Sequence, residues 1–243
     1  MRYKMTIEYD GTNYCGWQEQ EGLATVQGEI QKALFELTKE NIIITASGRT
    51  DAGVSAKNQV AHFDLQTKLT PYNLKMALNR HLADDIRIKD IQPTNDDFHA
   101  RFDAKRKTYS YKMYASGVES PLRRKTHLKV WPNLDFDSMQ KACAHFVGSH
   151  DFKGFCQENP QITNTIRTIF DCKMTKIDDD ITITITGDGF LHNMVRIICG
   201  TILKIGQRKI KLEDLPNIIK SKNRQLAGYT LSAVGLTLES VEY

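Results

Sequence analysis

The 243-residue chain has five cysteines, and they show neither a CxxC pair nor the spacing of a zinc site. An odd, scattered set favours reduced thiols in a cytosolic protein over a disulfide framework. The five are Cys15, Cys143, Cys156, Cys172 and Cys199. The sequence therefore predicts no metal centre and a cytoplasmic location.

Long apolar runs and low-complexity segments are also missing. No stretch approaches the roughly 20 apolar residues of a membrane-spanning helix. Residues 1–7 lead directly into a strand pattern, so we expect no signal peptide. The chain has only a small excess of positive charge: it contains 33 lysines and arginines and 29 acidic residues, for a net charge of +4. A mildly basic balance permits nucleic-acid binding without requiring it.

The first half of the chain shows the order strand, helix, strand, strand, helix, strand. Both helices begin at a threonine that can cap them, Thr25 and Thr70, and Pro71 follows the second cap. This order is that of the split βαβ, or ferredoxin-like, arrangement. The predicted strands are 3–9, 42–46, 60–65 and 85–91, and the first helix is 25–39.

The second half repeats this order of elements without a visible repeat of residues. We therefore expect an α+β fold of two ferredoxin-like halves, residues 1–104 and 105–243, that share a largely antiparallel central sheet. Residues 148–165 show no period and are predicted as a loop. The predicted elements are strands 108–114, 168–176, 181–186 and 231–241, a helix capped by Asp135, and helices 191–205 and 212–219. Strands 168–176 and 181–186 are expected to pair as a hairpin, because residues 178–180 supply its turn.

The loop 47–54, SGRTDAGV, is the strongest candidate for a site. It connects two predicted strands and contains two glycines, so it can hold Arg49 and Asp51 in a fixed relation. An aspartate has a pKa of about 3.9 and is ionised at neutral pH, and a nearby arginine favours that form. Such a carboxylate suits nucleophilic or electrostatic work. A structural ion pair is the alternative.

A basic stretch precedes an alternating aromatic strand after residue 100. Arg101 and Lys107 can meet phosphates, and Tyr109 shares a strand face with Lys107, so the pattern is typical of RNA binding. A solvated strand with half-buried tyrosines is the alternative. Arg196 lies in the first turns of the predicted helix 191–205, where it can reach a carboxylate or a phosphate or remain at the surface.

A phosphatase is a rival hypothesis, because EYDGT at 8–12 and GDG at 187–189 faintly resemble the haloacid dehalogenases. Those enzymes need a DxDGT loop, and here Glu8 stands at its first acid. The elements also do not alternate as a parallel βαβ fold requires. We therefore reject this hypothesis.

The chain resembles the TruA family of tRNA pseudouridine synthases in a series of motifs that occur in the family's order and cover nearly its whole length. GRTDAGV is highly specific among them. The motifs are YDGT at 9–12, GWQ at 16–18, GRTDAGV at 48–54, FHARF at 98–102, KTYSY at 107–111, HDF at 150–152, FLHNMVR at 190–196 and GL at 235–236.

The resemblance implies a pseudouridine synthase fold and a homodimer. It implies an isomerase that converts uridine to pseudouridine at positions 38, 39 and 40 of the tRNA anticodon stem-loop without a cofactor. Asp51 then matches the catalytic aspartate and Arg49 its partner on the loop. Tyr109 matches the tyrosine that packs against the target base, and Arg196 the arginine that holds the aspartate. At 228–233 the chain has GYTLSA where the family often has a GPTAP-like segment.

The sequence is compatible with three targets for Asp51: C6 of the base, C1′ of the ribose, and the C2′ proton. A non-catalytic tRNA-binding module with the same fold is the alternative function. An ionised carboxylate argues against it, because a charge of that sign repels the phosphates of a polyanion.

Overall fold

The computed structural model describes residues 1–157 and 162–243, and the chain divides into two compact units. The first unit is Met1–Lys105 with Thr237–Tyr243, and the second is Arg106–Leu236. In the described part of the chain, no helix is long and apolar enough to cross a membrane.

The elements of the first unit are β1 (Arg2–Tyr9), α1 (Val26–Thr38), β2 (Thr45–Ala46), β3 (Ser55–Asp64), α2 (Pro71–His81) and β4 (Ile86–Thr94). Their chain order is the predicted β-α-β-β-α-β. The strands form a sheet in the order β4-β1-β3-β2, with every neighbouring pair antiparallel. Helix α1 packs against α2, and α2 packs on β4.

The predicted caps of these helices are confirmed. The Thr25 hydroxyl accepts a hydrogen bond from the Gly28 N–H at 3.3 Å, and the Thr70 hydroxyl accepts one from the Asn73 N–H at 3.2 Å. Each cap satisfies a backbone donor that the first helical turn leaves without a partner.

The prediction of a strand over 42–46 is wrong for its first three residues. Ile42 and Ile44 are buried, but the backbone of Ile44 bonds to side chains of α1. Its N–H donates to Gln31 Oε1 at 3.1 Å, and its C=O accepts from Gln27 Nε2 at 3.0 Å. Because these groups are satisfied by glutamines, the β-branched residues enter the core without a neighbouring strand.

The elements of the second unit are β5 (Arg106–Ala115), β6 (Leu128–Val130), α3 (Phe136–His145), β7 (Gly148–Asp151), β8 (Ile166–Ile177), β9 (Asp180–Gly187), α4 (Met194–Gly206) and α5 (Leu215–Ser221). Its strands form a mostly antiparallel sheet in the order β5-β9-β8-β7. Strand β6 adds to β5 in parallel. Helix α3 packs on β8 and against α4, and α4 packs on β5.

Several sequence predictions in this unit are confirmed. The Asp135 side chain caps α3 by accepting from the Ser138 N–H at 3.0 Å. The β8–β9 hairpin turns at Asp178, whose φ of 54° is in the left-handed region. Apart from the added strands β6 and β7, the order β5, α3, β8, β9, α4 repeats the first five elements of the first unit.

Other predictions need correction. Residues 148–165 are not all loop, because β7 pairs with β8 and a 3-10 helix covers Phe152–Phe155; residues 158–161 of that range lie outside the described residues. The predicted helix 212–219 is a 3-10 turn followed by α5. The predicted strand 231–241 begins only at Leu236, after a 3-10 turn over Ala233–Gly235.

The last strand, β10 (Leu236–Glu242), has most of its residues in the first unit, although it follows the second in sequence. It pairs in parallel with β3, with Thr237 opposite Ser55. The Tyr243 hydroxyl then donates to the Ala100 carbonyl at 2.8 Å. The α+β class with largely antiparallel sheets is therefore confirmed, while hydrogen bonds distant in sequence decide where this strand lies.

Candidate active site

The loop 47–54 connects β2 to β3, and a buried glutamine of β3 holds its first residues. The Ser47 hydroxyl donates to Gln59 Oε1 at 2.7 Å, and Gln59 Nε2 donates to the Gly48 carbonyl at 3.0 Å. Ser47 and Gln59 are both fully buried. Losing these partners would leave the buried Gln59 amide without hydrogen bonds, which costs free energy. The first residues of the loop therefore have one preferred conformation.

The middle of the loop is anchored at Thr50. Its buried hydroxyl lies 2.8 Å from the Tyr9 hydroxyl, and its carbonyl accepts from the Trp17 N–H at 3.0 Å. Burial raises the pKa of Tyr9 to about 12, so this phenol stays neutral at physiological pH. Thr50 is buried, whereas the residues on either side of it reach the surface: Arg49 is exposed and Asp51 is half-buried.

Two glycines of the first motif let the segment 9–18 approach this loop closely. A Cβ on Gly11 would lie 2.1 Å from the Val54 carbonyl oxygen, and one on Gly16 would lie 2.7 Å from the Thr50 carbonyl oxygen. Gly16 also has φ +93°. The YDGT and GWQ motifs therefore support the loop that contains Asp51, which explains why buried aromatics occur beside them.

The turn 98–103 places Arg101 at the surface of the first unit. The Arg101 guanidinium lies 5.6 Å from the centre of the Phe102 ring. Phe102 itself is 75% exposed. A cation and an apolar ring thus lie together in solvent, although only the cation was singled out in the sequence.

In the second unit, β5 presents its candidate residues on one face. Lys107, Tyr109 and Tyr111 lie opposite Gly187, Ile185 and Ile183 of β9. Lys107 is half-buried and Tyr109 is 9% exposed. The Tyr109 ring meets the Phe190 ring edge-on at 5.3 Å. Tyr109 is therefore held in one orientation, with only a small part of its surface open.

Arg196 lies in the first turn of α4, as predicted. Its Nε donates to the Leu231 carbonyl at 2.7 Å, and its Nη1 donates to Asn193 Oδ1. The next carbonyl along, that of Ser232, accepts from the Tyr111 hydroxyl at 2.7 Å. Segment 228–233, where the chain departs from the family pattern, therefore positions a strand residue and a helix residue at once.

The sequence-predicted residues fall into two groups. Arg49, Asp51 and Arg101 belong to the first unit, and Lys107, Tyr109 and Arg196 belong to the second. The supports of these residues include Gln59, Tyr9, Tyr111 and Ser232. Tyr9 lies in the YDGT motif and Tyr111 in the KTYSY motif, whereas no motif signals Gln59 or Ser232. Within the described ranges, no cluster of three or more His, Cys, Asp or Glu side chains is arranged to hold a metal ion.

A family model described as tRNA pseudouridine synthase matches residues 5–103 and 142–243. The chain belongs to the tRNA pseudouridine synthase family. This confirms the resemblance found in the motifs and the pseudouridine synthase fold. It also confirms the isomerase class, which converts uridine to pseudouridine.

Curated members of the tRNA pseudouridine synthase family are similar to the chain over its whole length. The tRNA pseudouridine synthase A of Acetivibrio thermocellus is 45% identical over 240 residues, covering 99% of this chain and 98% of that protein. That of Caldicellulosiruptor saccharolyticus is 45% identical, covering 98% of each chain. That of Geobacillus sp. (strain WCH70) is 44% identical over 244 residues, covering 100% and 98%.

Proposed function

We propose that the chain isomerises uridine to pseudouridine at positions 38, 39 and 40 of the tRNA anticodon stem-loop, with Asp51 as the nucleophile. The observation that carries this proposal is the loop 47–54. It holds Asp51 half-buried between a buried, hydrogen-bonded Thr50 and the turn formed by the Val54 N–H, which donates to the Asp51 carbonyl at 3.1 Å. A rigid backbone of this kind is what a positioned catalytic carboxylate requires.

The reaction breaks the bond between C1′ and N1 and forms one between C1′ and C5. The proton on C5 leaves and N1 gains one, so the product is an isomer and no electrons are exchanged. Asp51 can begin this by adding to C6, by attacking C1′, or by abstracting the C2′ proton. In each case it acts as a base or nucleophile in its ionised form.

The other candidate residues would bind and hold the substrate. A uridine stacked in a stem must be flipped out before the chemistry, at a cost of a few kcal/mol. Arg49, which is exposed beside Asp51, would fill the space that the flipped uridine leaves in the stem, or would bind a phosphate. Tyr109 would pack on the extruded base, Lys107 and Arg101 would meet phosphates, and Arg196 would hold the catalytic carboxylate.

The location and assembly of the enzyme are further parts of the proposal. The scattered, free thiols favour the cytoplasm. A homodimer is expected from the resemblance to the TruA family. Sedimentation equilibrium at micromolar concentration would test it, and a monomer mass under those conditions would contradict it.

The decisive experiment uses tRNA tritiated at uridine C5 and counts the label released as water. We expect release by the wild-type protein and none by Asp51→Asn, with the affinity of that variant for tRNA retained. Asn keeps the size of the side chain and removes its charge. Near-normal release by Asp51→Asn would reject the nucleophile. No release by the well-folded wild-type protein, despite tRNA binding, would favour the non-catalytic binding module.

A further inference from the structure

The turn 98–103 is held by side chains that come from distant parts of the first unit. The Ala100 N–H donates to Nδ1 of His62, a buried residue of β3, at 3.1 Å. The Ala100 carbonyl accepts from the Tyr243 hydroxyl at 2.8 Å. Ala100 is fully buried, so both polar groups of this residue have protein partners in place of water.

The exposed half of the same turn is fixed by His99. Its Nδ1 accepts from the N–H groups of Arg101 at 3.1 Å and Phe102 at 3.3 Å. The backbone N–H of His99 donates to Asp103 Oδ2 at 2.8 Å. The backbone beneath Arg101 and Phe102 is therefore ordered before any ligand arrives.

Three rings form a ladder from the core to the surface through this turn. The His62 and His99 ring centres are 4.8 Å apart, and those of His99 and Phe102 are 4.2 Å apart with their planes 30° from parallel. Exposure rises along the ladder, from 7% at His62 to 75% at Phe102. The ladder thus ends in a supported apolar ring that faces solvent.

We propose that Phe102 is a stacking platform for an unpaired base of the RNA substrate. This deepens the proposed function and rests on it. Every nucleobase has a π-face that stacks on an aromatic ring, and RNA-binding proteins use supported aromatics with nearby cations for this purpose. Arg101 supplies the cation, with its guanidinium 5.6 Å from the ring centre.

Pre-organisation separates Phe102 from other exposed aromatics of the first unit. Tyr72 is 64% exposed, and the Lys75 ammonium lies 5.5 Å from its ring centre. It has the same combination of ring and cation, but it stands on the first turn of α2 and is not one of the rings of the ladder. A ring that is already held loses less conformational entropy on binding. Tyr72 is therefore a matched control.

The first test measures the affinity of the full chain for an anticodon stem-loop RNA by fluorescence anisotropy. Stacking on one aromatic contributes enough that we expect Phe102→Ala to weaken binding by about fivefold to a hundredfold. Phe102→Trp should keep or tighten it, and Tyr72→Ala should leave it unchanged. Equal affinities for Phe102→Ala and the wild-type protein would overturn the proposal.

The second test reports on stacking directly. In a Trp131→Phe background, Phe102→Trp places an exposed indole at the platform, while Trp17 stays 2% exposed. We expect the RNA to quench its emission, because a stacked base quenches an indole. No quenching at saturating RNA would overturn the proposal. So would a Phe102→Ala variant whose self-association changes while its RNA affinity does not.

Tritium release separates this proposal from the proposed function. If the wild-type protein releases label and Phe102→Ala binds RNA as tightly as the wild-type protein does, the proposal that Phe102 is a stacking platform is wrong and the synthase assignment remains. If the wild-type protein releases no label but Phe102→Ala loses RNA affinity, the platform is supported and the synthase assignment is wrong.

Discussion

The Tyr9 and Thr50 hydroxyls lie 2.8 Å apart in the core, 41 residues apart in the chain. This hydrogen bond joins the end of β1 to the residue between Arg49 and Asp51. It couples a framework strand to the candidate catalytic loop, so changes to it are expected to affect activity as well as stability.

Thr50→Val should remove that bond while keeping the shape of the side chain. Leaving the Tyr9 hydroxyl with fewer buried partners should cost about 1–3 kcal/mol of unfolding free energy. It should also lower kcat for tritium release, because Asp51 follows directly. Tyr9→Phe and the double variant complete a double-mutant cycle measured by urea denaturation. Additive losses in that cycle would show that the two hydroxyls do not interact.

Gly228→Ala should destabilise the second unit strongly. A Cβ there would lie 2.2 Å from the backbone carbon of Gly200 in α4, where no flexible side chain can move aside. Overpacking of this kind typically costs about 1–3 kcal/mol or more. Gly117→Ala is the matched control, because no atom lies within 4 Å of its added Cβ. Similar melting temperatures for the two variants would contradict the close approach.

His62 should make folding stability depend on pH. Burial lowers the pKa of His62 from its usual value of 6.5, so the unfolded chain takes up the proton first as the pH falls. The contribution of neutral His62 to the free energy of unfolding is complete above about pH 6.5. It is lost as the pH falls toward the pKa of His62 in the folded protein. His62→Asn keeps an acceptor for the Ala100 N–H and should flatten the dependence between about pH 7.5 and 5.5 in denaturant titrations. An unchanged dependence would reject the assignment to His62.

Tyr109 substitutions should separate packing from hydrogen bonding at the proposed base contact. Tyr109→Phe keeps the ring that meets Phe190 edge-on, so it should retain more tritium release than Tyr109→Ala. The Ala variant should lose about fivefold to a hundredfold in the rate of release, since a ring–base contact is worth about 1–3 kcal/mol. The opposite ranking in single-turnover assays would reject stacking, and equal losses would assign the main role to the hydroxyl, which both variants lack.

Salt should weaken tRNA binding steeply. Lysine and arginine side chains that contact phosphates displace counterions from the RNA, and added salt opposes this release. Arg101→Gln should weaken binding similarly for all tRNA sequences and reduce the slope of log K against log salt by about 1. Titrations from about 50 to 200 mM salt would measure this. An unaltered slope would show that Arg101 does not meet a phosphate.

Local chemistry was readable in the sequence wherever neighbouring residues determine structure. The caps Thr25, Thr70 and Asp135 were predicted, because a helix begins where a short polar side chain can accept from its first turn. The order of elements in the first unit followed from the same local periods, and the GRTDAGV motif indicated the family that the comparisons confirm. The roles of its residues remain predictions.

Tertiary contacts decided the rest. Ile42–Ile44 has the composition of a strand, but glutamines of α1 take the backbone hydrogen bonds of Ile44. β10 follows the second unit in sequence, yet it pairs with β3 of the first. The motifs alone identified which residues are candidates for the chemistry. The support of those residues by Gln59, Tyr9 and His62 came only from the tertiary structure, because hydrogen bonds between residues far apart in the chain leave no periodic or local signal.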